Sequence, residues 1–232
     1  MPRFFSEPTV VENATFVVAP NIAQHVRVLR LREGETITLF DGAGGELSAT
    51  IDQIEKKSVT VTTGSREAIE RELKQRFSIF TALIANDRFD WMIQKAVELG
   101  TSEIHPLYSE RSQRIPGDVV KRVEHWRGVA IAACEQCGRN QIPIIHAPIT
   151  FDAALQSVSN QLMVLLDAEG DTNVSVSSTN AVSIFVGPEG GFSPRELEAL
   201  RKRCDQRLRI GATILRAETA ATASLAILSS AM

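Results

Sequence analysis

The alternation of apolar and polar residues in the first third of the chain predicts short strands. Residues 35–40 alternate, so Ile37 and Leu39 are predicted on one side of a strand and Thr38 and Phe40 on the other. Several short strands separated by turns are typical of a small β-barrel. The predicted elements are strands at residues 14–18, 35–40, 46–54 and 58–63, a helix at 21–30 and a glycine-rich turn at 41–45.

After residue 76 the pattern changes to apolar runs of strand length that alternate with segments of helical period. Residues 193–196, Ser-Pro-Arg-Glu, have the form of a capping box that opens a helix. This alternation predicts an α/β fold, a mostly parallel sheet with helices on both faces. The predicted strands are residues 77–85, 103–108, 142–146, 162–166, 182–186 and 208–210, and the helices are 89–99, 119–137 after Asp118, 218–230 and those beginning after Thr150 and Ser193.

A charged stretch separates the two regions. Residues 64–75 are rich in charged helix formers, and we place a boundary near residue 72. The sequence therefore predicts a β-rich domain at residues 1–72 and an α/β domain at residues 73–232.

The apolar runs and the number of cysteines indicate in which cellular compartment the protein is expected. No apolar run approaches the roughly 20 residues that cross a bilayer, so no membrane segment is expected. The three cysteines, Cys134, Cys137 and Cys204, are too few for a disulfide framework and fit a reducing compartment. We therefore expect a cytoplasmic protein.

The formal net charge of −3 argues against a generally basic nucleic-acid binder, because such proteins usually carry a basic excess. Any charge that binds RNA must therefore be local. One concentration of basic residues stands out, although a solvated helix face explains part of it equally well. Its members are Arg111, Arg114, Lys121, Arg122, Arg127 and Arg139.

Two glycine loops follow predicted strands of the α/β region. Residues 187–192, Gly-Pro-Glu-Gly-Gly-Phe, come directly after Val186. Residues 210–220 contain Gly211, and their last part, from Arg216 onward, opens the next predicted helix. In parallel sheets ligands bind at the carboxyl ends of strands, and glycine lets the backbone approach a ligand closely. The first loop lacks the spacing of dinucleotide and triphosphate motifs. For the first loop, a plain strand-to-helix turn remains an alternative. For the second, Arg216 and a neighbouring carboxylate at the start of the helix could form a structural ion pair. The residues alone therefore predict only a ligand site between the two loops.

Several motifs, taken together, resemble one family. The chain is similar over essentially its whole length to the bacterial 16S ribosomal RNA (uracil-N3) methyltransferases. The motifs are PRFF at residues 2–5, HVRVLR at 25–30, LFDGAGGE at 39–46, DRFDWMIQKAVELG at 87–100, EQCGRNQIP at 135–143, GPEGGFS at 187–193 and ILRAETA at 214–220.

That resemblance implies a particular architecture. Residues 1–72 would form a PUA-like β-barrel that binds RNA, and residues 73–232 a SPOUT methyltransferase domain with a trefoil knot, a rare exception among protein folds. The resemblance also implies a homodimer and a bent S-adenosylmethionine held among the loops after Leu166, after Val186 and at residues 210–220. The partner would be 16S ribosomal RNA, within the small ribosomal subunit.

The resemblance also implies where the cofactor binds. No metal is required for methyl transfer, and none is predicted. The expected cofactor-binding residues are Leu165, Leu166, Val186, Gly187, Pro188, Glu189, Gly190, Gly191, Ile210, Gly211, Ile214, Leu215, Arg216, Thr219 and Ala220.

For catalysis we expect Arg216 to stabilise negative charge on the uracil carbonyl oxygens, with Glu218 or Glu189 orienting it or taking part in proton removal. N3 lies on the Watson–Crick edge, so the target uridine should be unpaired or flipped out. The candidates for contacts to RNA phosphates are Arg3, His25, Arg27, Arg30, Arg111, Arg114 and Arg139. The other histidines, His105, His125 and His146, are interpreted as scattered structural residues.

Three other functions stay open. A related SPOUT enzyme would methylate a ribose 2′-hydroxyl or another base. A nicotinamide dehydrogenase shares the alternating pattern, but no GxGxxG follows the first strand of the α/β region. A non-catalytic RNA-binding assembly factor would be expected to lose the two glycine loops, and both are intact.

Overall fold

A computed structural model describes residues 1–7, 9–114, 117–159, 161–176 and 181–230. The chain divides into two compact units. The first comprises Met1–Glu72 with Cys134–Ile142, and the second comprises Leu73–Ala133 with Pro143–Met232. The residues between 134 and 142 thus join the unit that contains the N-terminus.

The first unit contains a five-stranded sheet and one helix. Its strand order is β1-β3-β4-β5-β2, and β1 pairs with β3 in parallel while the other neighbours are antiparallel. Every predicted element of this region is present, and β1 is an additional strand that the pattern did not indicate. The elements are β1 Arg3–Phe5, β2 Thr15–Val17, α1 Pro20–Val28, β3 Thr36–Phe40, β4 Glu46–Ile54 and β5 Val59–Glu67.

The prediction that β3 has one polar side was wrong. Thr38 and Phe40 are buried, as are Ile37 and Leu39. The reason is that side chains also cover the second face: the Phe40 ring packs edge-on against Phe5 of β1 with 5.6 Å between centroids, and the Arg3 guanidinium lies 5.0 Å from the centroid of the same ring. A strand with cover on both faces needs no polar side.

A carboxylate at the start of β4 accepts hydrogen bonds from three residues of the first unit. Glu46 accepts from Arg3, from Arg71 at 2.9 Å and from Asn140 at 3.2 Å. Burial alone would raise the pKa of Glu46, but these hydrogen bonds hold it at about 2, below its ordinary value of 4.5. Glu46 therefore ties the N-terminal strand and residues 71 and 140 together in its ionised form.

This network predicts an acid-sensitive contribution to stability. A carboxyl group with a depressed pKa stabilises the fold above its ordinary value, and that contribution is lost as the pH falls from about 4.5 towards 2. We expect Glu46→Gln to destabilise the protein by about 1–2 kcal/mol at neutral pH and to flatten its loss of stability in that window. Urea unfolding at several pH values measures the free energy of unfolding and its slope with pH. Glu124→Gln, which removes an exposed carboxylate elsewhere, should keep the wild-type slope, and an unchanged slope in Glu46→Gln would contradict the assignment.

The second unit is an α/β fold with a parallel sheet, as the alternating pattern predicted. The strand order is β12-β10-β11-β6-β7-β8, with β9 pairing with β7 outside this path. All these pairs are parallel. The elements from β6 onward are β6 Arg76–Ala82, α2 Asn86–Glu98, β7 Glu103–Tyr108, α3 Val119–Cys137, β8 Ile144–Ile145, β9 Ile149–Thr150, α4 Phe151–Ser157, β10 Leu162–Asp171, β11 Ala181–Val186, α5 Pro194–Arg203, β12 Gln206–Leu208 and α6 Ala217–Ser230. The last turn of α3, from Cys134, belongs to the first unit.

Helices cover the sheet of the second unit. One apolar cluster joins Phe80, Leu165 and Phe185 of the sheet to Phe151 of α4 and Leu200 of α5. Helix α6 packs against β6, β11 and α2. Since successive side chains of a strand point to opposite faces, both faces of the central strands are buried. None of the described helices is long and apolar enough to cross a lipid bilayer.

Candidate functional site

A cavity of about 450 Å³ lies at the carboxyl ends of β10, β11 and β12, where the sheet geometry predicted a ligand site. Its walls come from residues 166–169 of β10, from the loops that follow β11 and β12, and from helices α5 and α6. Val186 and Leu208 are the last residues of β11 and β12, and Leu166 lies just before the irregularity within β10. The cavity therefore joins the two glycine loops to the irregular part of β10.

Backbone geometry explains the glycines of the loop after β11. Gly191 has a φ of +68° and donates its backbone N–H to the Pro188 carbonyl at 2.8 Å, which closes a tight turn. A Cβ on Gly187 would lie 3.1 Å from the Phe192 nitrogen. The loop thus folds close upon itself and turns its backbone towards the cavity.

The predicted capping box fixes the end of this loop. The Ser193 hydroxyl accepts from the Glu196 N–H at 3.3 Å, and Glu196 Oε2 accepts from the Ser193 N–H at 2.9 Å. The other oxygen of this fully buried carboxylate accepts from the Glu110 N–H at 2.9 Å. Glu196 therefore holds the glycine loop, helix α5 and the segment just after β7 in one arrangement.

An ion pair forms a second wall of the cavity. Arg201 of α5 donates two hydrogen bonds to Asp167, at 2.8 and 3.1 Å. Burial alone would raise the pKa of the Asp167 carboxyl, but the bonds from Arg201 hold it below its usual range. Both residues line the cavity, and neither was predicted from the sequence.

Three charged residues cluster beside the cavity at the start of α6. Arg88 Nη1 lies 3.4 Å from Glu189 Oε1, and Arg88 Nε lies 4.0 Å from Glu218 Oε1. The Glu218 side chain is only 9% exposed, and its Oε2 has no hydrogen-bond partner among the described residues. Such a buried, unpaired oxygen is costly unless a ligand or substrate supplies a donor. Sequence reasoning missed Arg88, although it lies within the quoted motif at residues 87–100.

Arg216 lies immediately before α6 and is exposed. Within the described residues no hydrogen bond or ion pair of its guanidinium is found, although its backbone carbonyl accepts from the Ala220 N–H at 2.8 Å. The Arg216 guanidinium is therefore free to contact a bound ligand or substrate.

Most of the predicted cofactor residues line the cavity. Leu165 does not, because the alternation of β10 turns it into the apolar cluster with Phe80. Gly190, Arg216 and Thr219 also lie outside the lining. The predicted residues that do line it are Leu166, Val186, Gly187, Pro188, Glu189, Gly191, Ile210, Gly211, Ile214, Leu215 and Ala220.

The predicted phosphate contacts fall into two groups. Arg3 and Arg139 are largely buried and form ion pairs inside the first unit, with Glu46 and Glu72. The remaining five are exposed, and Arg111 donates to the Gly190 carbonyl at 2.9 Å, next to the glycine loop. The exposed residues are His25, Arg27, Arg30, Arg111 and Arg114.

Comparisons with known proteins place this chain in one class. The family described as "RNA methyltransferase domain" matches residues 71–229, and the family described as "RNA methyltransferase PUA domain" matches residues 20–63. The chain therefore belongs to the RNA methyltransferase family.

The relatives of the chain have names that are more specific than this class. The chain is 31% identical to the ribosomal RNA small subunit methyltransferase E of Rickettsia conorii, over 97% of this chain and 93% of the relative. It is 29% identical to the protein of the same name from Bacillus subtilis, over 99% and 96% of the two chains. The family resemblance read from the sequence motifs is confirmed.

Solved structures agree with this relationship. The fold is similar to that of a Legionella pneumophila protein in complex with bound SAM, with a TM-score of 0.91, 33% identity and coverage of 99% and 97% of the two chains. It is also similar to the ribosomal RNA small subunit methyltransferase E of Neisseria gonorrhoeae bound to S-adenosyl methionine. There the TM-score is 0.89 at 31% identity, covering 98% and 96% of the two chains.

Proposed function

We propose that this chain transfers a methyl group from S-adenosylmethionine to N3 of a uridine in 16S ribosomal RNA of the small ribosomal subunit. The observation that carries the proposal is the cavity at the carboxyl ends of β10, β11 and β12. The support from relatives is that two structures with the same fold were solved with this cofactor.

The residues around the cavity fit S-adenosylmethionine. Apolar side chains such as Leu166, Val186 and Leu215 suit the adenine ring, and the glycine loops offer backbone amides and carbonyls for its polar edges. The unpaired Glu218 oxygen at the edge of the site calls for a donor from a bound molecule. When bound, the cofactor supplies an activated methyl group on a sulfonium centre.

Arg216 is the residue that we assign to charge stabilisation. Uracil N3 carries a proton at neutral pH, and negative charge spreads onto the two flanking carbonyl oxygens as that proton leaves. A fixed guanidinium close to those oxygens stabilises the charge more in the transition state than in the ground state. Arg216 is suited to this role because it is exposed and its charge is not held by a carboxylate of the described residues.

Glu218 is the better candidate of the two glutamates for accepting the proton. Glu189 faces the Arg88 guanidinium at 3.4 Å, which engages its carboxylate. Glu218 keeps one buried oxygen without a partner, so that oxygen is able to accept a proton or an N–H hydrogen bond. In this assignment Arg88 is a positioning residue that holds both carboxylates.

We assign RNA binding to residues 1–72 as a PUA-like β-barrel domain. Helix α1 and the turn after it expose His25, Arg27 and Arg30 on one short segment. Arg30 has a φ of +55°, a backbone conformation that non-glycine residues rarely adopt and that is often found at functional sites. Since exposed cations bind phosphates without sequence preference, this segment would hold the RNA while residues 73–232 select the base. A cytoplasmic location follows from a ribosomal substrate.

We further propose that residues 73–232 form a trefoil-knotted SPOUT domain that acts as a homodimer. In support of the knot, the chain runs from the edge strand β12 past the cavity and returns to pack α6 against the central strands. In support of the dimer, the adjacent helices α2 and α6 leave Trp91 and Ile227 43% and 40% exposed. Ile214 at the cavity is 96% exposed, so a second copy or the substrate would cover it.

The product of the reaction tests this function. We expect purified protein to transfer labelled methyl groups to small-subunit ribosomal RNA from cells that lack the gene, and digestion should yield 3-methyluridine. Naked RNA and assembled subunits tested in parallel identify the substrate. A 2′-O-methylated nucleoside or another methylated base would overturn the N3 assignment. Tight RNA binding without any transfer would point to an assembly factor instead.

A further inference from the structure

Two histidines that are 41 positions apart in sequence meet one carboxylate in the second unit. His146 Nε2 lies 2.9 Å from Glu103 Oε2, and His105 Nε2 lies 3.3 Å from the same oxygen. The three potential ligand atoms all lie within 4.8 Å of one another. The expectation that these histidines are scattered was therefore wrong for two of them.

Strand register explains this arrangement. Glu103 and His105 are two residues apart on β7, so their side chains share one face of the sheet. Strand β8 pairs in parallel with Ile145 opposite Ile104, and the His146 N–H donates to the Ile104 carbonyl at 3.0 Å. His146 is thereby fixed beside His105.

A column of stacked rings holds the two imidazoles. The His105 ring stacks on Phe80 at 4.1 Å, with 2° between the planes, and His146 stacks on His105 at 3.9 Å. Phe80 in turn stacks on Phe185 in the core. The inner end of the column is buried and the outer end reaches solvent, because the His146 side chain is 36% exposed and that of His105 only 15%.

The carboxylate is fixed by a second contact. Arg76 donates to Glu103 Oε1 at 2.8 Å, which leaves Oε2 to face both rings. A side chain that a second hydrogen bond already holds in place loses less conformational entropy when it binds a metal.

We propose that Glu103, His105 and His146 bind one divalent transition-metal ion, with Zn²⁺ as the best-fitting occupant. Two imidazole nitrogens and one carboxylate oxygen are a ligand set that zinc uses, with water in the fourth position. Tetrahedral ligands at zinc distances are separated by roughly 3.3 Å, so the side chains need to close the widest spacing by only about 1.5 Å.

The site has a structural role. None of its three ligands lines the cavity at the ends of β10, β11 and β12, so the ion is separate from methyl transfer. Strand β8 is only two residues long, and the ion would bind its exposed end to β7. The positive charge of Arg76 repels a metal ion bound nearby. We therefore expect a moderate affinity for the ion and not a permanently occupied site.

Calorimetric titration of the full chain with Zn²⁺, after chelator treatment and without any histidine tag, tests the proposal. We expect one ion per chain and a higher Tm in excess Zn²⁺. His146→Gln should weaken binding by at least about tenfold and remove the rise in Tm. Co²⁺ should give a d–d absorption spectrum without the intense charge-transfer bands of a thiolate ligand, which excludes the cysteines.

His125 offers a matched control. It contacts the Asp90 carboxylate at 2.7 Å, but this pair has one histidine where the proposed site has two. His125→Gln should bind Zn²⁺ as the wild type does. After chelator treatment, the free energy of unfolding of His146→Gln should lie within about 1 kcal/mol of that of the wild type, since this histidine is partly exposed. The absence of saturable Zn²⁺ binding, or equal affinity in the wild type and His146→Gln, would overturn the proposal.

Discussion

Arg216→Ala is expected to lower kcat for methyl transfer by roughly 100- to 1,000-fold. The reason is that the substitution removes the cation that we assign to the uracil carbonyl oxygens, and loss of one preorganised charge-stabilising donor typically has an effect of this size. The Kd for S-adenosylmethionine should change by no more than about twofold, because Arg216 lies outside the cavity lining. Single-turnover kinetics and calorimetry measure the two quantities separately.

Two further variants make this expectation specific. Arg216→Lys retains a positive charge but loses the planar pair of donors, so an intermediate rate is expected. Lys202→Ala removes an exposed cation that pairs with Glu198 on α5, and its rate should equal that of the wild type. If Arg216→Ala turned over normally, or lost cofactor affinity in proportion to rate, the assigned role would be wrong.

The features of this fold that could be predicted from sequence are those with local causes. The apolar runs and helical periods predicted the α/β alternation, and the Ser193–Glu196 capping box was recognisable because its partners are three residues apart. The two glycine loops were recognisable because tight turns favour glycine and because ligands bind at the carboxyl ends of parallel strands. These local signals were enough to locate the cavity.

The features that could not be predicted depend on contacts between distant parts of the chain. Arg88 reaches Glu189 and Glu218 only because α2 packs beside α6. Strand β1 is three residues long and exists through its pairing with β3, so it leaves no periodic pattern. His105 and His146 come together through the register of β7 and β8, which no spacing in the sequence encodes.

Gly170→Ala is expected to weaken both the fold and the cofactor site. A Cβ at this position would lie 2.6 Å from the Arg207 carbonyl oxygen and 3.0 Å from that of Asp167, so the backbone has to move. Residues 167–170 bulge from the pairing of β10 with β12, since Leu166 and Asp171 both pair with Leu208. Overpacking of this kind costs about 1–3 kcal/mol, and each kcal/mol lowers Tm by roughly 2–4 °C in a chain of this size.

The same bulge supplies Asp167, Ala168 and Glu169 to the cavity wall, so a shift of its backbone should raise the Kd for S-adenosylmethionine by at least about tenfold. Gly128→Ala is the matched control: it adds the same methyl group in helix α3, where nothing lies within 4 Å. The free energy of unfolding of that variant should rise by about 0.5–1 kcal/mol, because alanine has a higher helix propensity than glycine, and its cofactor binding should be normal. Thermal unfolding and calorimetry of both variants measure the contrast. Equal stability and equal affinity in the two variants would mean that the backbone of the bulge within β10 moves without an energetic cost, and that the cavity does not depend on the position of the bulge.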